Sequence, residues 1–114
     1  MKKFLALVTI SLIVSDVSAS CGQVPEGPAG LKAEQVTVSQ LEELNTQINT
    51  YINTVEGYQN CSDLAVVAMD AALPDYQTRF EDAVRLRNES EQKKLIALEQ
   101  FNRLIHLVVE TETE

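Results

Sequence analysis

The sequence is poor in the residues from which catalytic and metal centres are built. It has one histidine, two cysteines and four glycines among 114 residues. The two cysteines do not form a Cys-x-x-Cys pair, and neither a glycine-rich phosphate loop nor a nucleophile motif occurs. We therefore predict no catalytic site, no metal site and no cofactor, and we expect a protein that is not an enzyme.

Basic residues are also scarce. Nine lysines and arginines stand against 17 aspartates and glutamates, and the formal net charge is −8. Nucleic acids and anionic lipids are bound by positive surfaces, so this balance argues against both as partners. It is compatible with a basic protein or peptide as a partner, and equally with acidity that serves solubility alone.

No apolar run is long enough to cross a bilayer, which takes roughly 20 residues. The longest, at residues 4–14, follows Lys2 and Lys3 and precedes small residues that end at Ala19. This order is typical of a secretory signal, so we predict that residues 1–19 are removed. The mature protein would be periplasmic or secreted, without a membrane-inserted segment. An uncleaved anchor helix is the alternative.

The first cysteine, Cys21, is the second residue after this cut. Because the compartment outside the cytoplasm is oxidising and the cysteine count is even, we predict a disulfide with Cys61. Its loop of about 41 residues corresponds to a stabilisation of about 4 kcal/mol from chain entropy. The alternative is a lipid anchor on Cys21. The small residues before it favour that alternative, whereas Ser18 stands where lipoprotein signals usually carry leucine.

Residues 20–38 are predicted to form an extended, irregular arm. This segment holds two of the three prolines and three of the four glycines, which disfavour regular structure. If Cys21 pairs with Cys61, the arm must run back along the helix that carries Cys61. An extended segment of this length covers that distance easily.

A first helix is predicted over residues 39–72. Ser39 and Glu42 have the spacing of a capping box, and Pro74 marks the end because the residue before a proline avoids the helical conformation. Cys61 falls close to the apolar face of this helix. Steps of three and four residues place six side chains on that face, Leu41, Leu44, Ile48, Tyr51, Val55 and Tyr58.

A second helix is predicted over residues 75–109. Continuing its apolar spacing backwards from Val109 places Asn88 and Asn102 on the apolar seam, 14 residues apart. Polar residues in a seam can fix the register of two helices, bond to a facing element, or bind a ligand. Asn88 and Asn102 are therefore possible polar contacts of the seam.

The predicted fold class is all-α, an antiparallel two-helix hairpin over residues 39–114 with an N-terminal arm stapled by one disulfide. Two helices enclose little interior, so the arm, a second copy in a twofold dimer, or a partner must close the seam. The function that fits best is protein binding or structural association in the cell envelope. The alternatives are a small periplasmic chaperone, and an enzyme or enzyme inhibitor with a polar site at Asn88 and Asn102.

The chain resembles a group of small, exported proteobacterial proteins. The resemblance is carried by Cys21, the Pro/Gly arm through Gly30, the helical Tyr58-Gln59-Asn60-Cys61, Asn88, and Phe101-Asn102. Val24-Pro25-Glu26-Gly27-Pro28 departs from the more regular proline pattern of the group. The resemblance implies the disulfide and the hairpin, and it brings no assigned activity.

Overall fold

The computed structural model of the protein describes residues 16–113; most of the predicted signal segment, residues 1–15, lies outside them. The described chain contains a short helix α1 (Asp16–Cys21), a 3-10 helix (Ala29–Lys32) and two long helices, α2 (Val38–Val67) and α3 (Tyr76–Thr113). It contains no strand between residues 16 and 113. None of these helices is long and apolar enough to span a membrane.

Helices α2 and α3 pack as an antiparallel hairpin, as predicted. Asp63, near the end of α2, pairs with Arg87 near the start of α3. Leu44, near the start of α2, shares an apolar cluster with Leu104 near the end of α3. The apolar face predicted for α2 is confirmed, because Leu41 is half-buried and the other five members are buried, Leu44, Ile48, Tyr51, Val55 and Tyr58.

The seam of α3 differs in register from the predicted one. Its buried residues recur every seven positions, at Ala83, Ser90, Ala97 and Leu104. Three of these four side chains are small, and the two large tyrosines of α2 share clusters with them, Tyr51 with Ala97 and Tyr58 with Ala83. The backward extrapolation failed because it followed the larger apolar residues, which lie on a neighbouring face. Asn88 and Asn102 are consequently exposed.

The ends of α2 also differ from the prediction. Thr37, and not Ser39, is the N-cap: its hydroxyl accepts from the Gln40 backbone N–H at 3.1 Å, and the Gln40 side chain accepts from the Thr37 N–H at 2.9 Å. The helix stops at Val67, five residues early. The Asp70 carboxylate accepts the Ala72 N–H at 2.9 Å, a local bond that competes with the helical ladder.

The arm closes one side of the hairpin. Leu31, in its 3-10 helix, is only 1% exposed and packs with Leu44, Ile48 and Tyr51. Gly30 lies against Leu44 so closely that a Cβ would come within 2.9 Å of that side chain. The arm is also held by polar contacts with α3, because the Arg103 guanidinium donates to the carbonyl oxygens of Leu31 and Ala33.

The predicted disulfide is present. Cys21 and Cys61 are joined with an S–S distance of 1.97 Å and a Cα–Cα distance of 5.7 Å, which links α1 to α2. A sulfur atom in this bond cannot at the same time carry the lipid thioether of a lipoprotein. Val17, one turn before Cys21, is 1% exposed and packs with Val24, Tyr58 and Ala83.

Candidate functional site

An apolar groove lies at the turn end of the hairpin, where α2 ends and α3 begins. Its volume is about 310 Å³. Because the two helices run antiparallel, their ends at the turn contribute side chains to the same surface. The groove is lined by Ser62, Asp63, Val66, Val67, Phe80, Ala83, Val84 and Arg87. We call this surface the turn-end groove.

The most exposed large apolar side chains of the described residues are at this end. Leu64 is 71% exposed and Val67 is 81% exposed. Both lie in the last turn and a half of α2. Their neighbours Ala65 and Val66 pack against the cluster that contains Ala83, so Leu64 and Val67 occupy the opposite face of the helix. A soluble protein gains nothing in stability from apolar side chains held in water. The turn end is therefore the candidate interaction surface.

One ion pair forms the rim of the turn-end groove. The Arg87 Nε donates to Asp63 Oδ1 at 2.9 Å and Nη2 donates to Oδ2 at 3.3 Å, so the two helices are bridged by a bidentate contact. The hydrogen bond from Arg87 lowers the pKa of Asp63. Residues 63–87 carry five carboxylates and three guanidinium groups, which leaves the surface around the groove net negative.

A buried polar contact lies behind the groove and fixes how the helices meet. The Gln59 side-chain amide donates to Ser90 Oγ and to Glu91 Oε1, both at 3.1 Å. Ser90 Oγ in turn donates to the Arg87 carbonyl oxygen at 2.6 Å. The bond from Gln59, followed by the contact with Lys94, lowers the pKa of Glu91. This set of bonds serves the pairing of the helices and leaves no polar group directed at a ligand.

Two of the hollows that flank the arm are larger than the turn-end groove. One, of about 470 Å³, lies between the 3-10 helix and the start of α2 and includes Gly30, Gln40 and Leu44 in its lining. The other, of about 410 Å³, lies between Pro25, Pro28 and the Thr46–Thr54 part of α2. The second is shallow and is floored by Tyr51. Neither brings together a group of acid, base and nucleophile side chains.

The two buried tyrosines have unpaired hydroxyl groups. Tyr51 Oη and Tyr58 Oη have no hydrogen-bond partner among residues 16–113. Burial raises the pKa of Tyr51, and nearby Glu26 raises it further. Burial likewise raises the pKa of Tyr58, with Glu89 and Asp82 adding to the effect. Both hydroxyl groups are thus held protonated; the Tyr51 side chain also lines the hollow of about 410 Å³ beside the arm.

The structure does not bring the two predicted polar residues together. Asn88 and Asn102 are both exposed on α3, and 14 residues of helix separate them by roughly 21 Å. The surface that the sequence prediction missed is the one at Leu64 and Val67. Its signal was present, because two large apolar residues follow the last member of the α2 seam at positions that cannot join that seam.

No group of three or more histidine, cysteine or carboxylate side chains that could hold a metal ion occurs in the part of the chain that the structure describes. No protein-family model, no curated protein and no solved structure matches the chain.

Proposed function

We propose that the chain is an exported, non-enzymatic binding protein of the cell envelope, and that the turn-end groove takes an apolar segment of a partner protein. The observation that carries the proposal is the exposure of Val67, which lines an apolar groove of about 310 Å³. Leu64 is exposed in the same turn of α2. Apolar surface at the end of a rigid hairpin is a suitable contact for an amphipathic segment.

The charge around the groove indicates the sign of the charge that the residues flanking that segment should carry. Residues 63–87 are net negative and the whole chain has a net charge of −8. A segment with basic residues beside its apolar face would meet an attractive field, whereas an acidic segment would be repelled. The proposed partner is therefore an amphipathic helical segment with lysine or arginine flanks.

A titration followed by amide chemical shifts tests this function. The probe is a synthetic helical peptide with a leucine and phenylalanine face and lysine flanks; the comparison peptide keeps the face and carries glutamate flanks. We expect saturable shifts confined to residues 62–67 and 80–87, and binding at least about tenfold weaker for the acidic peptide. The absence of saturable shifts in this region with the basic peptide would contradict the proposal.

Two substitutions locate the surface. Val67→Glu places a charge in the groove and should weaken binding of the basic-flanked peptide. Val38→Glu adds the same charge at an exposed valine at the far end of α2 and should leave binding unchanged. If both variants bind like the parent protein, the peptide occupies another surface.

A chaperone role is the second candidate, and the same exposed side chains favour it. An excess of the protein would then slow the aggregation of a denatured outer-membrane protein, and Val67→Glu would remove the effect. No change in aggregation at stoichiometric amounts would exclude this role. Loss of turnover of some substrate in a folded Asn88→Ala variant would instead support the enzyme alternative.

A further inference from the structure

One flank of α3 carries a second row of side chains that α2 and the arm cover only in part, since Leu98 packs against the main apolar cluster and Glu91 accepts from Gln59. The row alternates steps of four and three residues, as an interhelical seam does. Val84, Leu95 and Val109 are among the exposed large apolar residues, and Leu98 and Ile105 are half-buried. We call it the outer stripe; its members are Val84, Asn88, Glu91, Leu95, Leu98, Asn102, Ile105 and Val109.

The arm lies on the other flank of α3. Lys93 pairs with Glu26 of the arm, and Arg103 donates to two arm carbonyl oxygens. Ile96 lines a hollow beside the same arm residues. Since residues three and four apart share a helix face, Lys93, Ile96 and Arg103 define one flank, and the outer stripe defines the opposite one. Leu95 and Ile96 are neighbours in sequence, and their side chains project about 100° apart around α3.

The outer stripe is symmetric at its two asparagines, although Glu91 stands on one side of Leu95 where Leu98 stands on the other. Leu95 is its centre, and Asn88 and Asn102 each lie seven residues from it. Val84 and Ile105 lie eleven and ten residues away on either side. Two helices that cross antiparallel about a twofold axis at Leu95 would therefore place each Asn88 beside the partner's Asn102. A twofold interface requires such self-complementarity, because the same surface is used by both copies.

The charge distribution permits contact of two copies through α3 and disfavours it through α2. Helix α2 carries four carboxylates and no basic residue. Helix α3 carries six basic and seven acidic residues, and is nearly neutral. The one carboxylate on the outer stripe, Glu91, already accepts from Gln59 and lies 3.1 Å from the Lys94 amine. Two copies of this acidic chain meet least repulsion along the outer stripe.

We propose that a second copy of this chain docks on the outer stripe, with α3 antiparallel to its partner, Leu95 on the twofold axis and two asparagine pairs across it. The apolar members exclude water from the contact. The asparagine amides fix the register, because each loses its amide partner when one helix slides by a turn along the other. The proposal does not rest on the function proposed for the turn-end groove, although Val84 belongs to both surfaces.

A pair of matched variants of the full exported protein tests the surface by sedimentation velocity over micromolar concentrations. Leu95 and Ile96 are 49% and 51% exposed, so a charge placed at either has the same cost in the monomer. Leu95→Glu sets two carboxylates against each other at the axis and should raise the dimer dissociation constant at least about a hundredfold. Ile96→Glu should leave it unchanged. A parent protein that sediments as a monomer at 100 μM, or equal effects of the two variants, would overturn the proposal.

A charge exchange tests the direction of the helices. Asn88→Asp combined with Asn102→Lys places opposite charges together in the antiparallel pair, so the dimer should persist. Asn88→Asp combined with Asn102→Asp places like charges together and should dissociate it. In a parallel pair the first double variant would also dissociate, and that result would overturn the proposed alignment. Far-ultraviolet circular dichroism checks that each variant keeps its helices.

Discussion

At the scale of single residues, the two buried tyrosine hydroxyls should contribute nothing favourable to folding. Tyr51 Oη and Tyr58 Oη lose water without gaining a partner within residues 16–113, which costs about 1–3 kcal/mol for each group. Tyr51→Phe and Tyr58→Phe keep the ring and remove that cost. We expect the free energy of unfolding to stay the same or to rise by about 1 kcal/mol in each variant, as measured by urea denaturation at pH 8.

The same hydroxyls make stability fall in alkali. Burial raises the pKa of both tyrosines in the folded chain. The unfolded chain therefore releases these protons first, from about pH 10 upwards, and stability declines as the pH rises above that value. The two phenylalanine variants should lose less stability between pH 8 and pH 10.5 than the parent. A drop of more than about 1 kcal/mol in either variant at pH 8 would show that the hydroxyls make favourable bonds.

The N-cap of α2 and the burial of Ser90 are two features that local sequence patterns could not predict. Ser39 and Thr37 are both good N-cap residues, and each has a suitable residue three positions on. The sequence alone does not decide between them, whereas the position of the arm does, since it sets where the chain turns into α2. Ser90 was missed for a related reason. A serine in a charged stretch resembles a surface residue until Tyr58, Gln59 and the rest of α2 are packed against it.

At the scale of elements, the arm has two attachment points that can be removed singly, besides buried Val24 and the Glu26–Lys93 ion pair that lie between them. The Cys21–Cys61 disulfide holds its start, and Leu31, with Arg103, holds its middle. In Cys61→Ala the first point is lost while the second remains. We expect the amides of α1 and of Gly22 to lose protection in hydrogen exchange, with the helical circular dichroism of α2 and α3 retained. The free energy of unfolding should fall by about 4 kcal/mol, the chain-entropy value for this loop.

A substitution at the second attachment point, Leu31, should remove amide protection from a different part of the chain. Leu31→Ala removes a buried side chain from the main apolar cluster and should cost about 2–5 kcal/mol. Protection should then be lost around the 3-10 helix, at residues 28–33, while α1 stays in place through the disulfide. If Cys61→Ala lost protection along the whole arm through Lys32, the two points would act as one.

At the scale of the whole molecule, the sequence predicted the architecture correctly, but it did not predict which face of α3 packs against α2 or which surfaces stay exposed. The all-α class, the antiparallel hairpin and the disulfide follow from strong, redundant signals: an unbroken seam in α2, a short turn at Pro74, and two cysteines joined by a Pro/Gly arm. The register of α3 depends on which of its two apolar rows meets α2. That choice rests on small residues, Ala83, Ser90 and Ala97, which carry little signal by themselves but allow the tyrosines of α2 to fit.

The chain's N-terminal boundary has a consequence for stability. Cleavage after Ala19 is a prediction of the sequence, and it would remove Val17, which is 1% exposed beside Val24, Tyr58 and Ala83. Full burial of a valine side chain is worth about 1.5–3 kcal/mol. We therefore expect a chain that begins at Ser20 to unfold at a lower urea concentration than one that begins at Asp16, by a difference of that size in the free energy of unfolding.

Substitutions in the chain that begins at Asp16 distinguish the loss of the Val17 contacts from the effect of shortening the chain. Val17→Ala should bring its stability most of the way to that of the shorter chain, and Ala19→Ser, at an exposed position in the same helix, should leave it within about 0.5 kcal/mol. Intact mass spectrometry of the exported protein then identifies which of the two chains exists outside the cell, and the two-hydrogen deficit in the same spectrum reports the disulfide. Equal stabilities of the two chains would mean that α1 does not hold Val17 against Tyr58 in solution.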